Sequence, residues 1–109
     1  MEFDIYIEEG RRALNYLKNA EGIARRVKEL VELFDPSAEV YLFGSAVRGD
    51  YTAASDIDIL IVTKNVGAAE EARAAIYRAI DAPLEIHIAT PEQFRRWYRR
   101  FLGEAVKIN

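Results

Sequence analysis

A strand-like segment at residues 56–62, with the sequence DIDILIV, places the strongest constraint on what this chain can fold into. Successive side chains of a strand point to opposite faces, so the isoleucines share one face and the other face begins with Asp56 and Asp58. Beyond these aspartates both faces are apolar. We therefore expect a strand that is buried on both sides at its far end and meets polar surroundings only where it begins.

The rest of the chain alternates between helical and strand-like periodicity. Apolar residues recur at helical spacing over residues 23–34 and 69–80, whereas residues 40–43 and 84–88 have the patterns of strands. An earlier helix near residues 13–17 either breaks before the next helix or continues into it. This order of helices and strands indicates an α/β or α+β fold in which helices cover a sheet.

A further helix is predicted after the last of these strands. Residues 90–93 (TPEQ) resemble a capping box with proline at the first helical position. Aromatic residues follow on one face of this helix, and core packing is their expected role: Phe94, Trp97, Tyr98 and Phe101. Arginines cover the remaining surface, either as a solvated face or as contacts to an acceptor: Arg95, Arg96, Arg99 and Arg100.

Composition excludes several kinds of site and partner. The chain has no cysteine and only one histidine, His87, which removes disulfides, cysteine-ligated metals, thiol catalysis and multi-histidine metal sites. The longest uncharged stretch, residues 40–47, is far shorter than the ~20 residues of a membrane helix. The net charge of -3 argues against a dedicated nucleic-acid binder, and the acidic N-terminus lacks a signal pattern. A single cytoplasmic domain over residues 1–109 is expected, with no membrane contact.

A glycine–serine turn follows the strand predicted at residues 40–43. Gly44 allows a sharp turn and a close approach of ligand to backbone, while Ser45 offers a hydroxyl and an amide to an anion. Arg48, a few residues later, either contacts phosphate or pairs with an acidic residue of the surrounding loop, such as Asp50. These residue types favour binding of a phosphorylated ligand.

Three carboxylates are candidates for metal binding. Asp56 and Asp58 lie on the same side of their strand, about 7 Å apart at the Cα atoms, so that their carboxylates can converge on the same cations. Glu85 would complete the set if its strand lies beside theirs. His87, one alternation further on, is expected to be structural or to lie at the rim. Hard oxygen ligands suit magnesium, and the whole set suits two-metal phosphoryl or nucleotidyl transfer.

The pattern of residues 44–58, GS followed by ten residues and then DID, resembles the signature of the DNA polymerase beta-like nucleotidyltransferase superfamily. The chain is similar to the minimal nucleotidyltransferase branch of that superfamily. The resemblance extends over about residues 40–88. Flanking residues also match the branch: Phe43, Arg48, Gly49 and Ser55.

This resemblance implies a fold, a reaction and a role for each site residue. The fold would be α+β, a small mixed β-sheet with helices packed mainly on one face. The reaction would transfer a nucleoside monophosphate, AMP from ATP, with two Mg²⁺ ions. Gly44 and Ser45 would hold the triphosphate, Asp56 and Asp58 would bind the metals, and Glu85 would occupy the third carboxylate position, where aspartate is usual.

The resemblance also implies a partner. Members of this branch are often antitoxins paired with a HEPN-domain ribonuclease toxin, and some attach AMP to a tyrosine of that toxin. An alternative hypothesis is a binding module that neutralises its partner by contact, with the helix at residues 94–101 as the contact surface. A free edge of the small sheet would also permit a homodimer.

Overall fold

A computed structural model describes residues 2–98, 100 and 104–109 of the chain. Within these residues the elements in chain order are α1 (Glu2–Lys18), α2 (Ala20–Phe34), β1 (Glu39–Phe43), α3 (Ser45–Arg48), β2 (Ile57–Val62), α4 (Val66–Ala79), β3 (Leu84–Ala89), α5 (Pro91–Tyr98) and β4 (Val106–Ile108). No helix of this part of the chain combines the length and the apolar character that a membrane span requires.

The four described strands form a mixed sheet in the order β3-β2-β1-β4. Strands β1 and β2 are antiparallel, as are β1 and β4, whereas β2 and β3 are parallel. The register of the parallel pair sets Asp58 opposite Glu85 and Leu60 opposite His87. The expected mixed α+β sheet is thereby confirmed, and the register brings two of the predicted site residues side by side.

Most helices pack against one face of the sheet. The isoleucines of β2 are fully buried there among Val27 and Val31 of α2 and Ile76 of α4. Burial of each such side chain contributes roughly 1.5–3 kcal/mol to the stability of the fold. The opposite face is less extensively covered, and we call it the open face. It carries a smaller cluster around Phe43 and Leu60, against which α5 packs.

The boundary between the first two helices lies at Asn19. Helix α1 ends at Lys18 and α2 begins at Ala20, and the Asn19 side chain donates a hydrogen bond of 2.9 Å to the Asn15 carbonyl. Of the two alternatives that the sequence left open, the break is therefore the one found. Helix α2 ends at Phe34, where Asp35 has extended backbone geometry.

Helix α5 has the capping box that the sequence predicts. The Gln93 amide donates to Thr90 Oγ1 at 3.2 Å, and the Thr90 amide donates to Gln93 Oε1 at 2.9 Å. Phe94 stacks on Tyr41 with ring centroids 4.6 Å apart, and Trp97 meets Phe43 edge-on at 4.8 Å. Core packing is thus confirmed for Phe94 and Trp97. The predictions for Arg99, Phe101 and the Tyr98 side chain lie outside the described residues.

Strand β4 is an element that the sequence did not predict. It has three residues and pairs with β1, so it forms one edge of the sheet. A strand this short carries too little alternation to be distinguished from a loop. The structure also shows the short helix α3 directly after Gly44, and β2 begins one residue later than expected, at Ile57.

A buried aspartate joins the end of α2 to the end of β2. Asp35 is only 7% exposed, and it accepts hydrogen bonds from the Thr63 hydroxyl and from the Ser37 amide and hydroxyl. These bonds, that from Thr63 first, hold the pKa of the Asp35 carboxyl below its ordinary value of 3.8. The carboxylate therefore stabilises the folded chain in its ionised form.

Replacement of Asp35 by alanine is expected to lower the free energy of unfolding at neutral pH by about 2–3 kcal/mol, because it removes charged hydrogen bonds and deprives the buried Thr63 O–H of its acceptor. Since the folded-state pKa is lowered, this contribution is complete above pH 3.8 and is lost as the pH falls through the lowered value. Urea unfolding curves of the two proteins should converge at acidic pH. Equal stabilities at pH 7 would contradict this account, and Glu29→Ala on the exposed face of α2 is the control.

Candidate active site

A cluster of three metal-ligating side chains lies on the open face, where the parallel strands begin. Asp58 is the second residue of β2, Glu85 is the second residue of β3, and His87 follows on the same face of β3. One ligating atom from each lies within 4.8 Å of the others. We refer to these three residues as the donor cluster. Two carboxylates and one imidazole suit a divalent cation.

The imidazole of His87 approaches both carboxylates of the cluster. Its Nε2 atom lies 3.6 Å from Asp58 Oδ1 and 3.7 Å from Glu85 Oε1. Both distances exceed the range of a hydrogen bond. Nε2 is shielded from solvent and has no hydrogen-bond partner among the described residues, although the side chain as a whole is 41% exposed. The ring therefore directs an unsatisfied nitrogen at the carboxylates.

The environment of Asp58 disfavours its negative charge. Burial raises the pKa of the Asp58 carboxyl above its ordinary value, and the neighbouring negative charge of Glu85 adds to that effect, while His87 opposes it. A positive charge close to Asp58 would lower the pKa of its carboxyl, because it favours the ionised form. A bound divalent cation supplies such charge.

Gly44 lies against the carboxylate of Asp58. Its backbone has φ +78° and ψ -154°, a conformation that is almost confined to glycine. A Cβ atom at this position would overlap Asp58 Oδ2 and lie 3.2 Å from Asp58 Cγ. The turn thus requires glycine at this position for two reasons: the backbone conformation, and the space that the Asp58 carboxylate occupies.

The other predicted site residues are not members of the donor cluster. Ser45 begins α3 and is half-buried. Asp56 is exposed, directly before β2, and is not part of the group of ligating atoms within 4.8 Å. Arg48 forms ion pairs with Asp50 at 3.3 Å and with Glu104 at 3.4 Å. The sequence had left open whether Arg48 contacts phosphate or pairs with an acidic residue, and in this structure it is paired.

His87, which the sequence led us to expect as a structural or rim residue, lies against both carboxylates of the donor cluster. The alternating pattern of residues 84–88 had placed it on the face of Glu85. Because β3 pairs with β2, that face brings His87 close to the carboxylates. The strand pairing cannot be read from a lone histidine, so the sequence alone does not show which side chains His87 faces.

A cleft of about 690 Å³ opens beside the donor cluster, between the open face and α5. This volume is in the range of small-molecule sites. The cleft adjoins the cluster through His87. It is lined by Phe43, Leu60, His87, Ile88, Ala89, Gln93, Arg96, Trp97 and Arg100.

Comparisons with known proteins concern both sequence and fold. The model of the nucleotidyltransferase domain family matches residues 21–105. The chain is 31% identical to a presumed nucleotidyltransferase of known crystal structure, with 77% of this chain and 95% of that chain covered and a TM-score of 0.61. It is 26% identical to a presumed nucleotidyltransferase from Sulfolobus solfataricus, with 87% and 84% covered and a TM-score of 0.57. No curated protein matches the chain by sequence.

Proposed function

The chain belongs to the nucleotidyltransferase domain family, and on this basis we propose that it transfers AMP from ATP to an acceptor hydroxyl at the donor cluster. The observation that carries the proposal is the parallel register of β2 and β3, which sets Asp58 beside Glu85 on the open face. The acceptor oxygen forms a bond to the α-phosphorus while the bond to pyrophosphate breaks, so that pyrophosphate leaves and the hydroxyl proton passes to solvent.

The donor cluster fits the divalent cation that the family implies. Its three ligating atoms lie within 4.8 Å of one another, the imidazole nitrogen among them has no hydrogen-bond partner in the described part of the chain, and burial raises the pKa of the Asp58 carboxyl. In the proposal Asp58 and Glu85 hold Mg²⁺, and Asp56 supplies a carboxylate to a second ion. A bound cation neutralises phosphate charge and makes an attacking hydroxyl more acidic.

The turn after β1 is proposed to hold the triphosphate. Gly44 carries no side chain, so the turn lies directly against the Asp58 carboxylate, and a phosphate bound at the turn would be next to a cation held by that carboxylate. Ser45, next in the chain, offers a hydroxyl and an amide as donors to these oxygens. Arg48 would release its contacts to Asp50 and Glu104 if it turned to a phosphate.

The cleft is proposed to receive the acceptor. Phe43 and Trp97 give it an aromatic lining, which suits a flat ring, and Arg96 and Arg100 add positive charge at the α5 side. A tyrosine of a partner HEPN-type toxin, the acceptor implied by the resemblance to the minimal nucleotidyltransferase branch, has the required ring and hydroxyl.

Labelled ATP distinguishes the proposed reaction from its alternatives. The chain is incubated with a divalent cation, the product of an adjacent gene, and ATP labelled on either the α- or the γ-phosphate. We expect the α-label alone to become covalently attached to the partner, with an added mass of AMP on a tyrosine. Transfer of the γ-label would contradict nucleotidyl transfer. A stable complex without any transfer would instead favour the contact-based binding module.

A further inference from the structure

The distances from His87 to the two carboxylates are slightly longer than those between neighbouring ligands of a single ion. Two ligand atoms about 2.1 Å from one cation, at octahedral or tetrahedral angles, are separated by roughly 3.0–3.4 Å. The His87 Nε2 atom lies 3.6 Å and 3.7 Å from the two carboxylate oxygens. These separations are too long for hydrogen bonds and need only a few tenths of an ångström of adjustment to become ligand-to-ligand distances.

The unsatisfied nitrogen is the second observation. A polar atom that is shielded from solvent without a hydrogen-bond partner destabilises the fold, and such atoms in folded proteins call for an explanation. Here the atom is Nε2, and it faces two carboxylates, of Asp58 and Glu85, at distances too long for hydrogen bonds. One cation in the middle would satisfy all three groups.

We propose that His87 Nε2 is a direct ligand of the divalent cation in the active site, together with Asp58 and Glu85, and that the site therefore binds Mn²⁺ more tightly than Mg²⁺. Imidazole nitrogen suits transition metals, whereas Mg²⁺ prefers oxygen ligands and retains its water. Two carboxylates and one histidine also leave coordination positions open for phosphate oxygens. This inference rests on the proposed function, since it assigns the cation of that reaction.

Pulsed electron paramagnetic resonance of bound Mn²⁺ detects a coordinated imidazole directly. His87 is the only histidine of the chain, so a ¹⁴N coupling typical of bound imidazole has only one histidine source. We expect this coupling in the native chain with Mn²⁺ and its loss in His87→Gln. The variant should bind Mn²⁺ about tenfold more weakly or worse, while its affinity for Mg²⁺, measured by competition, changes less.

Arg96→Gln is the matched control, because Arg96 lines the same cleft but supplies no donor atom to the cluster. It should keep the ¹⁴N coupling. Bound Mn²⁺ without that coupling in the native chain would overturn the inference, and so would an unchanged ratio of Mn²⁺ to Mg²⁺ affinity in His87→Gln. The first result needs no variant to fold. Nucleotidyl transfer without the ¹⁴N coupling would support the proposed function and contradict the role of His87 as a ligand. The coupling without any transfer would support His87 as a ligand and contradict the proposed function.

Discussion

Replacing Asp58 with asparagine is expected to lower the rate of nucleotidyl transfer by more than about 10³-fold, since the loss of even one electrostatic contact to a transition state typically costs ~10²–10³ in rate. Asparagine keeps the shape of the side chain but removes the charge that the donor cluster offers to a cation. The measurement is the initial rate of α-label transfer at saturating ATP. Glu71→Gln, an exposed change on α4 at the other face of the sheet, should transfer at the native rate.

The same variant is expected to fold at least as stably as the native chain when no metal is present. Burial raises the pKa of the Asp58 carboxyl, so its ionised form costs stability once the pH rises above the ordinary value of 3.8. Removal of this charge should therefore leave the midpoint of thermal unfolding equal or higher at neutral pH. Retained transfer, or a much lower unfolding midpoint, would contradict the assignment of Asp58 as a residue held for function rather than for stability.

Replacing Gly44 with alanine has the second largest expected effect. The added Cβ would overlap Asp58 Oδ2, so the carboxylate must move away from its place in the donor cluster. Misplacement of a reacting group by about 1 Å can cost ~10² in rate, and we expect at least that loss. The positive φ should also cost about 1–3 kcal/mol of stability, measurable by urea unfolding.

Gly49→Ala separates these two effects. Gly49 also has a positive φ, +83°, but a Cβ there would meet nothing within 4 Å. This variant should lose about 1–2 kcal/mol of stability for its left-handed backbone and keep its activity. If Gly49→Ala lost as much activity as Gly44→Ala, strain in the turn would be responsible, and the contact with Asp58 would not.

The elements of the fold could be predicted where their periodicity extends over enough residues. The strand at residues 57–62 and the helices that cover it follow from local alternation and spacing. The pairing of strands is different, because a register depends on residues far apart in the chain. From the sequence, Glu85 was expected beside Asp58 only if their strands were neighbours. The parallel register of β2 and β3 fulfils that condition.

Other contacts in the site also depend on residues that are far apart in the chain. His87 shares a face with Glu85, yet its approach to Asp58 depends on the neighbouring strand. Asp56 shares a pattern with Asp58, but β2 begins after it, so alternation within a strand does not govern its side chain. Similarly, the pattern of α5 predicted an aromatic face, while the partners of that face, Tyr41 and Phe43, lie on a distant strand.

The central claim is that nucleotide and cation meet at the donor cluster, and paramagnetic broadening by Mn²⁺ tests it without knowledge of the acceptor. Amide resonances of the ¹⁵N-labelled chain are recorded with a non-hydrolysable ATP analogue and substoichiometric Mn²⁺. We predict the strongest broadening at Gly44, Ser45 and the first residues of β2 and β3, and its loss in Asp58→Asn. Broadening centred elsewhere, such as the acidic residues of α1, or unchanged in Asp58→Asn, would contradict the account.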